Sequence, residues 1–364
     1  MQQTILVECN KLPKFIGHYF QVVYENNINK NWRFFIMEKI DLEVDDFISY
    51  CDYKGLSTKT IGSYEQTLKL FIRYLQDECN ITRTEQVKEK TIADYIANVK
   101  QRGKYTVVAD DNTKRYNHPQ NRQDFGKKVS LATVNNYTRN LRVYFNYMYE
   151  NRLIKTNPMK KIKPLRIPRK AKGYLNDKDF NNLLKCFDLS KFHEYRDYVI
   201  TQLVFDTGMR IGECLMIRDE TDINFNERTI FLPAENTKGK KDRYVFFSMQ
   251  MATELKRWLQ YRDRYKESEF CFCTIKGSQL LERSFESNFT NYGERIGNKE
   301  IHPHLIRNNF AKRFLMNGGD IYTLSKILGH SSVKVTEECY LDLGTDDLRK
   351  QYQKHSPLMN LKRA

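Results

Sequence analysis

Apolar residues in the first half of the chain recur at helical spacing. Ile61, Tyr64, Leu68, Phe71 and Leu75 alternate steps of three and four, forming one stripe of a helix that Ser57 or Thr58 can cap. Val134, Tyr137, Leu141, Tyr144 and Met148 make a comparable stripe behind Ser130, and a shorter helix is predicted between them, over about 91–100. The two stripes share a start, Ser57-x-x-Thr60-x-x-x-Tyr64-x-x-x-Leu68 against Ser130-x-x-Thr133-x-x-x-Tyr137-x-x-x-Leu141. Common capping and core demands explain that likeness without a duplication. Residues 103–129 are polar and read as a long loop or small excursion. The helical pattern begins at Asp41; residues 1–40 form an N-terminal extension whose compact apolar cluster, Trp32-Arg-Phe-Phe-Ile-Met37, points to no role.

A boundary follows the third helix. Residues 155–172 hold eight Lys or Arg, the prolines Pro158, Pro164 and Pro168, and no acid, which predicts an extended linker that like-charge repulsion keeps open. The expected partition is a helical domain over 41–157, a basic linker over 158–173 and a second domain over 174–364. In the second domain Asn176 or Asp177 caps a helix with Leu183, Leu184 and Phe187, and another runs over about 191–205. Thr207-Gly208 interrupts the pattern, and Met209 to Ile217 reads as a new helix. Asp222-Ile-Asn-Phe, Thr229-Ile-Phe-Leu and Arg243-Tyr-Val-Phe-Phe are strand-like. Helices are predicted for about 249–265, 283–294, 304–316, 320–328 and 333–338, with Cys271-Phe-Cys-Thr a short extended piece. The fold class is therefore mainly α with a small antiparallel β-sheet.

Charge narrows the partner. A net charge of +16 and a pI near 9.3 point to a polyanion, most simply nucleic acid. No apolar run of membrane-spanning length and no signal-peptide start occur in the sequence. The eight cysteines are scattered, without a Cys-x-x-Cys pair, so neither a zinc site nor a disulfide framework is indicated and reduced thiols in a cytoplasmic protein are expected. No Walker-type phosphate loop is present, so nucleotide use is unsupported and no cofactor is expected.

The candidate chemistry lies late in the chain. His304-Leu-Ile-Arg307, Leu328-Gly329-His330 and Tyr340 gather two histidines, an arginine and a tyrosine within 37 residues. Upstream stand Thr207-Gly-Met-Arg210-Ile-Gly-Glu213 and the Lys238-Gly239 turn. Each motif alone is weak, and most of the 23 tyrosines pack or face solvent. Together these residues can surround a phosphodiester with positive charge and offer it a tyrosine nucleophile.

In this order, spread over the 131 residues from Arg210 to Tyr340, the motifs resemble those of the tyrosine recombinases: phage integrases, transposon integrases and transposases, and chromosome-dimer resolvases. The resemblance covers nearly all of the second domain, and the capped helices of the first look like the family's core-binding domain. It implies a two-domain clamp on double-stranded DNA, a helical core-binding domain joined to an α+β catalytic domain, with neither metal nor cofactor. By this resemblance Arg210 and Arg307 hold the non-bridging phosphate oxygens through bidentate hydrogen bonds. Preorganised charge of that kind is worth about 3 kcal/mol per donor. Lys238 resembles the lysine that protonates the 5′-oxygen leaving group, with Lys240 and Lys241 as rivals. His304 takes or relays the tyrosine proton, His330 bonds the phosphate, and Tyr340 attacks phosphorus to give a 3′-phosphotyrosyl link. Glu213, three residues after Arg210, is positioned to hold that arginine. His302, His193 and His355 read as surface or structural residues.

Two departures are visible. Cys214 stands where relatives more often carry leucine, and Tyr340 follows His330 by ten residues where some members have nine. A final helix over Asp346-Asp-Leu-Arg-Lys-Gln-Tyr resembles one that docks on a neighbouring protomer, implying a tetramer around two duplexes, with accessory proteins possible partners. The long first segment and the 103–129 stretch favour a mobile-element integrase over a resolvase. A type IB topoisomerase-like enzyme, relaxing DNA without strand exchange, and a non-catalytic DNA-binding regulator are the rival readings.

Overall fold

In the computed structural model, residues 39–109, 111–168, 173–237 and 239–340 are described, with the isolated positions 349, 352, 353 and 356. The chain divides into two compact units, residues 1–168 and 169–364. Of the expected final helix only Arg349 and Tyr352 are described, both helical, and the N-terminal cluster at Trp32 lies outside the described residues.

In the first unit the helices are α1 (Lys39–Tyr53), α2 (Thr58–Cys79), α3 (Glu89–Gln101), the short α4 (Asp111–Asn117) and α5 (Leu131–Glu150). Ser57 and Ser130 cap α2 and α5, each accepting the backbone N–H three residues on, from Thr60 and Thr133. The shared sequence start is therefore a shared cap. The stripes meet as the periodicity requires: Leu68, Phe71 and Leu75 bury with Val134, Leu141 and Met148, joined by Phe47, Ile92 and Tyr95. Where α2 and α5 cross, the buried Asn140 amide donates to Ser63 Oγ at 3.0 Å and Thr67 Oγ1 at 2.9 Å.

Residues 103–129 are more ordered than an open loop. A bridge pairs Gly103 with Lys128, α4 occupies the middle, and Pro119 and Val108 are buried. The basic stretch also differs from expectation. Residues 162–168 lack regular structure, as the prolines require, yet the segment is pinned rather than held open by repulsion. Ile154 and Met159 are buried, Arg142 donates to Ile162 O, and Asn135 exchanges two hydrogen bonds with the Leu165 backbone, at 2.9 and 2.8 Å. Apolar residues interleaved with the lysines supply the attraction that charge counting omits.

In the second unit lie α6 (Asp177–Lys185), α7 (Phe192–Thr207), α8 (Ile211–Cys214), α9 (Asp219–Asp222), α10 (Met249–Arg262), α11 (Glu282–Arg295), α12 (Pro303–Met316), α13 (Ile321–Leu328) and α14 (Val333–Tyr340). The strands β1 (Ile223–Asn224), β2 (Thr229–Leu232) and β3 (Arg243–Phe246) pair antiparallel in that order. Ile230, Leu232 and Val245 face the core, while Tyr244 and Phe246 on the other face are exposed. Helix α7 packs against α10 and α12 and is buried on most sides, carrying Asp197 inside. That carboxylate accepts hydrogen bonds from Arg196 Nε, Asn288 Nδ2 and Tyr292 Oη at 2.9, 3.0 and 2.9 Å, as a buried charge requires. Trp258 fills the centre and donates Nε1–H to Cys271 O at 2.8 Å.

The helix expected over 209–217 is corrected to the four residues of α8. Gly208, in the left-handed region at φ 69°, ends α7, and Arg210 is extended at its start. At the far end Arg218 is drawn into a bridge with Phe270, so the apolar run serves a tight corner and not a long helix. Among the described residues no helix is long and apolar enough to cross a membrane.

Candidate active site

Gly208 ends α7, and its carbonyl is thereby turned towards α12. Arg307, on the second turn of α12 and 4% exposed, donates Nη1–H to that carbonyl at 2.8 Å. Nη2 of the same guanidinium donates to Leu328 O at 2.8 Å, at the end of α13, and lies 3.2 Å from His330 Nε2. One arginine therefore ties together three chain segments. Gly208 is required twice over: a Cβ there would sit 2.2 Å from the Phe310 ring, and its positive φ is strained for other residues.

The His330 tautomer follows from these partners. Guanidinium only donates, so Nε2 is the acceptor, and the proton on Nδ1 goes to Thr336 Oγ1 at 2.8 Å. Thr336 is fully buried on α14, the helix that ends at Tyr340, so the His330 ring is fixed from both sides.

Arg210 stands at the start of α8, its guanidinium partly exposed. Glu213 explains that position: Oε2 accepts the Arg210 backbone N–H at 2.8 Å, and Oε1 accepts from Arg210 Nη1 at 3.0 Å. A second guanidinium reaches the same carboxylate. Arg243, the first residue of β3, donates Nη1–H to Glu213 Oε1 at 3.0 Å and Nη2–H to Oε2, and its Nε–H to Ile327 O at 3.2 Å. Glu213 is 2% exposed. Burial pushes its carboxyl up, but the bonds and charge of Arg243, then of Arg210, outweigh this and hold it below the usual range. Gly329 leaves room for the Arg243 head, since a Cβ there would lie 2.9 Å from Nε.

His304, on the first turn of α12, has its pKa lowered, first by partial removal from water, then by the charges of Arg307, His302 and Arg210; Glu282 acts in the opposite sense. The ring remains exposed and is neutral near pH 7. His302 caps the same helix from the surface, its Nδ1 2.6 Å from Glu300 O.

Arg210, His304, Arg307 and His330 are thus brought into one neighbourhood from α8, α12 and the end of α13. Lys238 lies outside the described residues. Its turn is organised around Thr237, whose Oγ1 accepts the Lys241 N–H at 3.1 Å, and the exposed Lys240 and Lys241 flank it. Among the described residues nothing lies within 4 Å of the place that a Cβ on Gly239 would take. Tyr340 is the last residue of α14; its side chain lies outside the described residues. Sequence reading assigned no part to Arg243 or Thr336. Arg243 was visible only as the first residue of a strand, with Glu213 already assigned to Arg210.

Chemically, the cluster offers two guanidinium groups, a neutral imidazole at the surface and a second imidazole held by hydrogen bonds. That is a receptor for a tetrahedral oxyanion such as a phosphodiester.

Comparison with known proteins agrees with this chemistry. Residues 174–346 match the phage integrase family, and residues 44–110 match the N-terminal SAM-like domain of phage integrases. Among curated proteins, tyrosine recombinase XerC of Oceanobacillus iheyensis is 26% identical over 332 residues, covering 89% of this chain and 99% of that one. Tyrosine recombinase XerD of Listeria monocytogenes is 25% identical over 306 residues, covering 81% of this chain and 92% of its own. The fold is shared with the Tn1549 transposon integrase in complex with a circular intermediate DNA, at a TM-score of 0.64 and 17% identity, with 87% of this chain and 99% of that one covered. It is shared also with the XerH site-specific recombinase bound to palindromic difH substrate, at a TM-score of 0.61 and 18% identity, with coverage of 85% and 83%.

Proposed function

Because the chain belongs to the tyrosine recombinase family, and is a tyrosine-type site-specific recombinase acting on DNA, we propose that it cuts and rejoins duplex DNA through a 3′-phosphotyrosyl intermediate. Tyr340 Oη attacks the scissile phosphorus while the P–O5′ bond breaks. One phosphodiester replaces another, so the step needs no nucleotide. His304 takes the phenol proton, and Lys238 delivers one to the departing 5′-oxygen. Arg210 and Arg307 hold the non-bridging oxygens, with His330 as a further donor once its Nε2 carries a proton. Such groups act mainly on the charge of the pentacovalent transition state. Attack by the free 5′-hydroxyl of a partner strand on the phosphotyrosine reverses the chemistry and completes the exchange.

The convergence of Arg210, His304, Arg307 and His330 supports this reading most directly, with α14 running from Thr336, bonded to His330, to Tyr340. A duplex nicked near the cleavage site tests it, because the cleaved fragment diffuses away and traps the covalent state. Wild type should accumulate a protein–DNA adduct, while Tyr340→Phe should give none with binding retained. An undiminished adduct in Tyr340→Phe overturns the assignment. For the proton donor, Lys238→Ala should slow cleavage of a normal 5′-oxygen bridge far more than of a 5′-thio bridge, whose leaving group needs no acid. Equal slowing removes Lys238 from that role.

The biological product follows from where the recombined sites lie. The segments beyond a minimal recombinase, at the N-terminus and over 103–129, favour integration or transposition of a mobile element by a tetramer on two duplexes. The XerC and XerD relatives, matched over 99% and 92% of their lengths, favour a second reading, resolution between two copies of one site. Paired-site plasmids separate the two: the second reading requires efficient deletion between identical sites on one molecule, and the first requires joining of unlike partners.

A further inference from the structure

Two arginines share one buried carboxylate in this site, and they share it unequally. Arg210 gives Glu213 a single guanidinium N–H, Nη1 to Oε1 at 3.0 Å, besides its backbone N–H to Oε2 at 2.8 Å. Arg243 grips both oxygens, Nη1 to Oε1 at 3.0 Å and Nη2 to Oε2. A carboxylate has about four lone-pair sites, so these bonds fill it. The bidentate partner is also the deeper one: the Arg243 side chain is 10% exposed and that of Arg210 23%.

Arg243 is itself fixed in place. Its Nε–H goes to Ile327 O at 3.2 Å, next to Leu328, whose carbonyl accepts from Arg307. At Gly329 a Cβ would come within 2.9 Å of Nε and 3.0 Å of Cζ, so the Leu-Gly-His turn is shaped around this guanidinium. The hairpin that carries Arg243 is pinned just before it, where Asp242 Oδ1 accepts the Ala234 N–H at 2.6 Å. A guanidinium tied on Nε, Nη1 and Nη2 and largely buried is not placed to hold a phosphate itself. Its charge acts on Glu213 instead. Glu213 and Arg210 alone would cancel, and a cancelled guanidinium attracts a phosphate weakly. With Arg243 added, the triad keeps a net positive charge, and Arg210 is its more exposed end.

We infer that Arg243 is a positioning residue of the cleavage reaction: it takes up the Glu213 charge so that Arg210 meets the scissile phosphate as a full and oriented cation. The inference rests on the phosphate-holding role proposed for Arg210 and deepens it. Arg243 touches neither phosphate nor tyrosine in this role and acts only through Glu213.

The test compares two nicked duplexes, one with the normal scissile phosphate and one with a methylphosphonate there, whose methyl group replaces a non-bridging oxygen and removes the negative charge. Adduct formation is followed at saturating DNA. The ratio of the two rates within one preparation does not depend on how much of the protein is folded. Arg243→Gln should slow the normal duplex roughly 100-fold, the scale of losing one preorganised donor, and the methylphosphonate by less than about 10-fold. Arg210→Ala should shift the ratio the same way. Arg243→Lys, which keeps the charge, should keep the wild-type ratio. Glu213→Gln/Arg243→Gln should restore it, because Arg210 is then uncancelled. That double variant leaves no buried charge unpaired, so it carries the test if Arg243→Gln does not fold. Equal slowing of both duplexes by Arg243→Gln overturns the inference, as does a ratio shifted in Arg243→Lys or in the double variant. Failure of wild type to form an adduct, or an unchanged ratio in Arg210→Ala, sinks the parent reading instead.

Discussion

Glu213 is a single buried carboxylate on which two guanidinium groups converge, and its removal exposes how the site is held. Glu213→Gln leaves Arg243, 10% exposed at its side chain, charged and without that partner. Breaking such a pair should destabilise the fold by about 3 kcal/mol. The pH dependence has a definite sign. The folded carboxyl titrates below its unfolded value, so its stabilisation is complete above about pH 4.3 and is lost as pH falls through the lower folded value. Urea midpoints for wild type and Glu213→Gln should therefore differ at pH 6 and converge on acidification below about pH 4; a gap constant with pH would refute the coupling. His304 titrates in the opposite setting. Its lowered pKa keeps the imidazole available as a base below the ordinary value, so the acidic limb of the adduct-formation rate should fall below about pH 6.5. A limb at or above that pH would argue against His304 as the proton acceptor. Arg210, His304, Arg307 and His330 were legible because each stands in a motif and the motifs keep their order. Arg243 was not, since its role depends on β3 starting beside Glu213 and on Ile327, 84 residues away, supplying a carbonyl. No local spacing encodes that meeting.

At the scale of elements, capped and striped helices were the most readable part of the chain. Ser57 and Ser130 announced α2 and α5, and the apolar stripes named their buried faces. What failed was the stretch after Gly208, where Ile211, Cys214, Leu215 and Ile217 have helical spacing but are buried as a corner. Periodicity reports which residues go inside, and tertiary pairing at Arg218 decided how far the helix ran. The corner depends on Gly208. Gly208→Ala puts a side chain into the left-handed region, at about 1 kcal/mol, and drives a methyl into the Phe310 ring, at about 2 kcal/mol more. Phe310→Ala in the same chain should relieve the steric part and leave the backbone part. Urea unfolding of the two single variants and the double variant should thus show favourable coupling of about 2 kcal/mol, whereas additive losses would show that the ring yields freely.

At the scale of the whole molecule, the two large hydrophobic cores are built from separate stretches of sequence, one from Ile40 to Met159 and the other from Leu175 to Ile306, with a smaller cluster at Ala311, Leu324 and Leu328. The basic stretch lies between the two large cores, and its edge cannot be set by composition alone. Residues after α5 still belong to the first core: Ile154 and Met159 are 6% and 2% exposed, and Asn135 is matched to the Leu165 backbone. On the other side, Leu175 N–H donates to the buried Asn309 Oδ1 at 3.0 Å, and Asp177 pairs with Arg313 at 2.7 Å, so the second core claims the chain from about there onward. A fragment of residues 39–168 should consequently fold more stably than one of 39–152, which ends with α5 and lacks both buried side chains. Burying two such residues contributes about 4 kcal/mol together. Urea denaturation of the two fragments measures the difference directly, with the longer one also showing the steeper denaturant dependence that greater buried area demands. Equal stability would mean that the lysine-rich stretch is only laid against α5 by the surrounding chain. A loss near 4 kcal/mol would mean that its apolar residues hold it there before any DNA arrives to neutralise its charge.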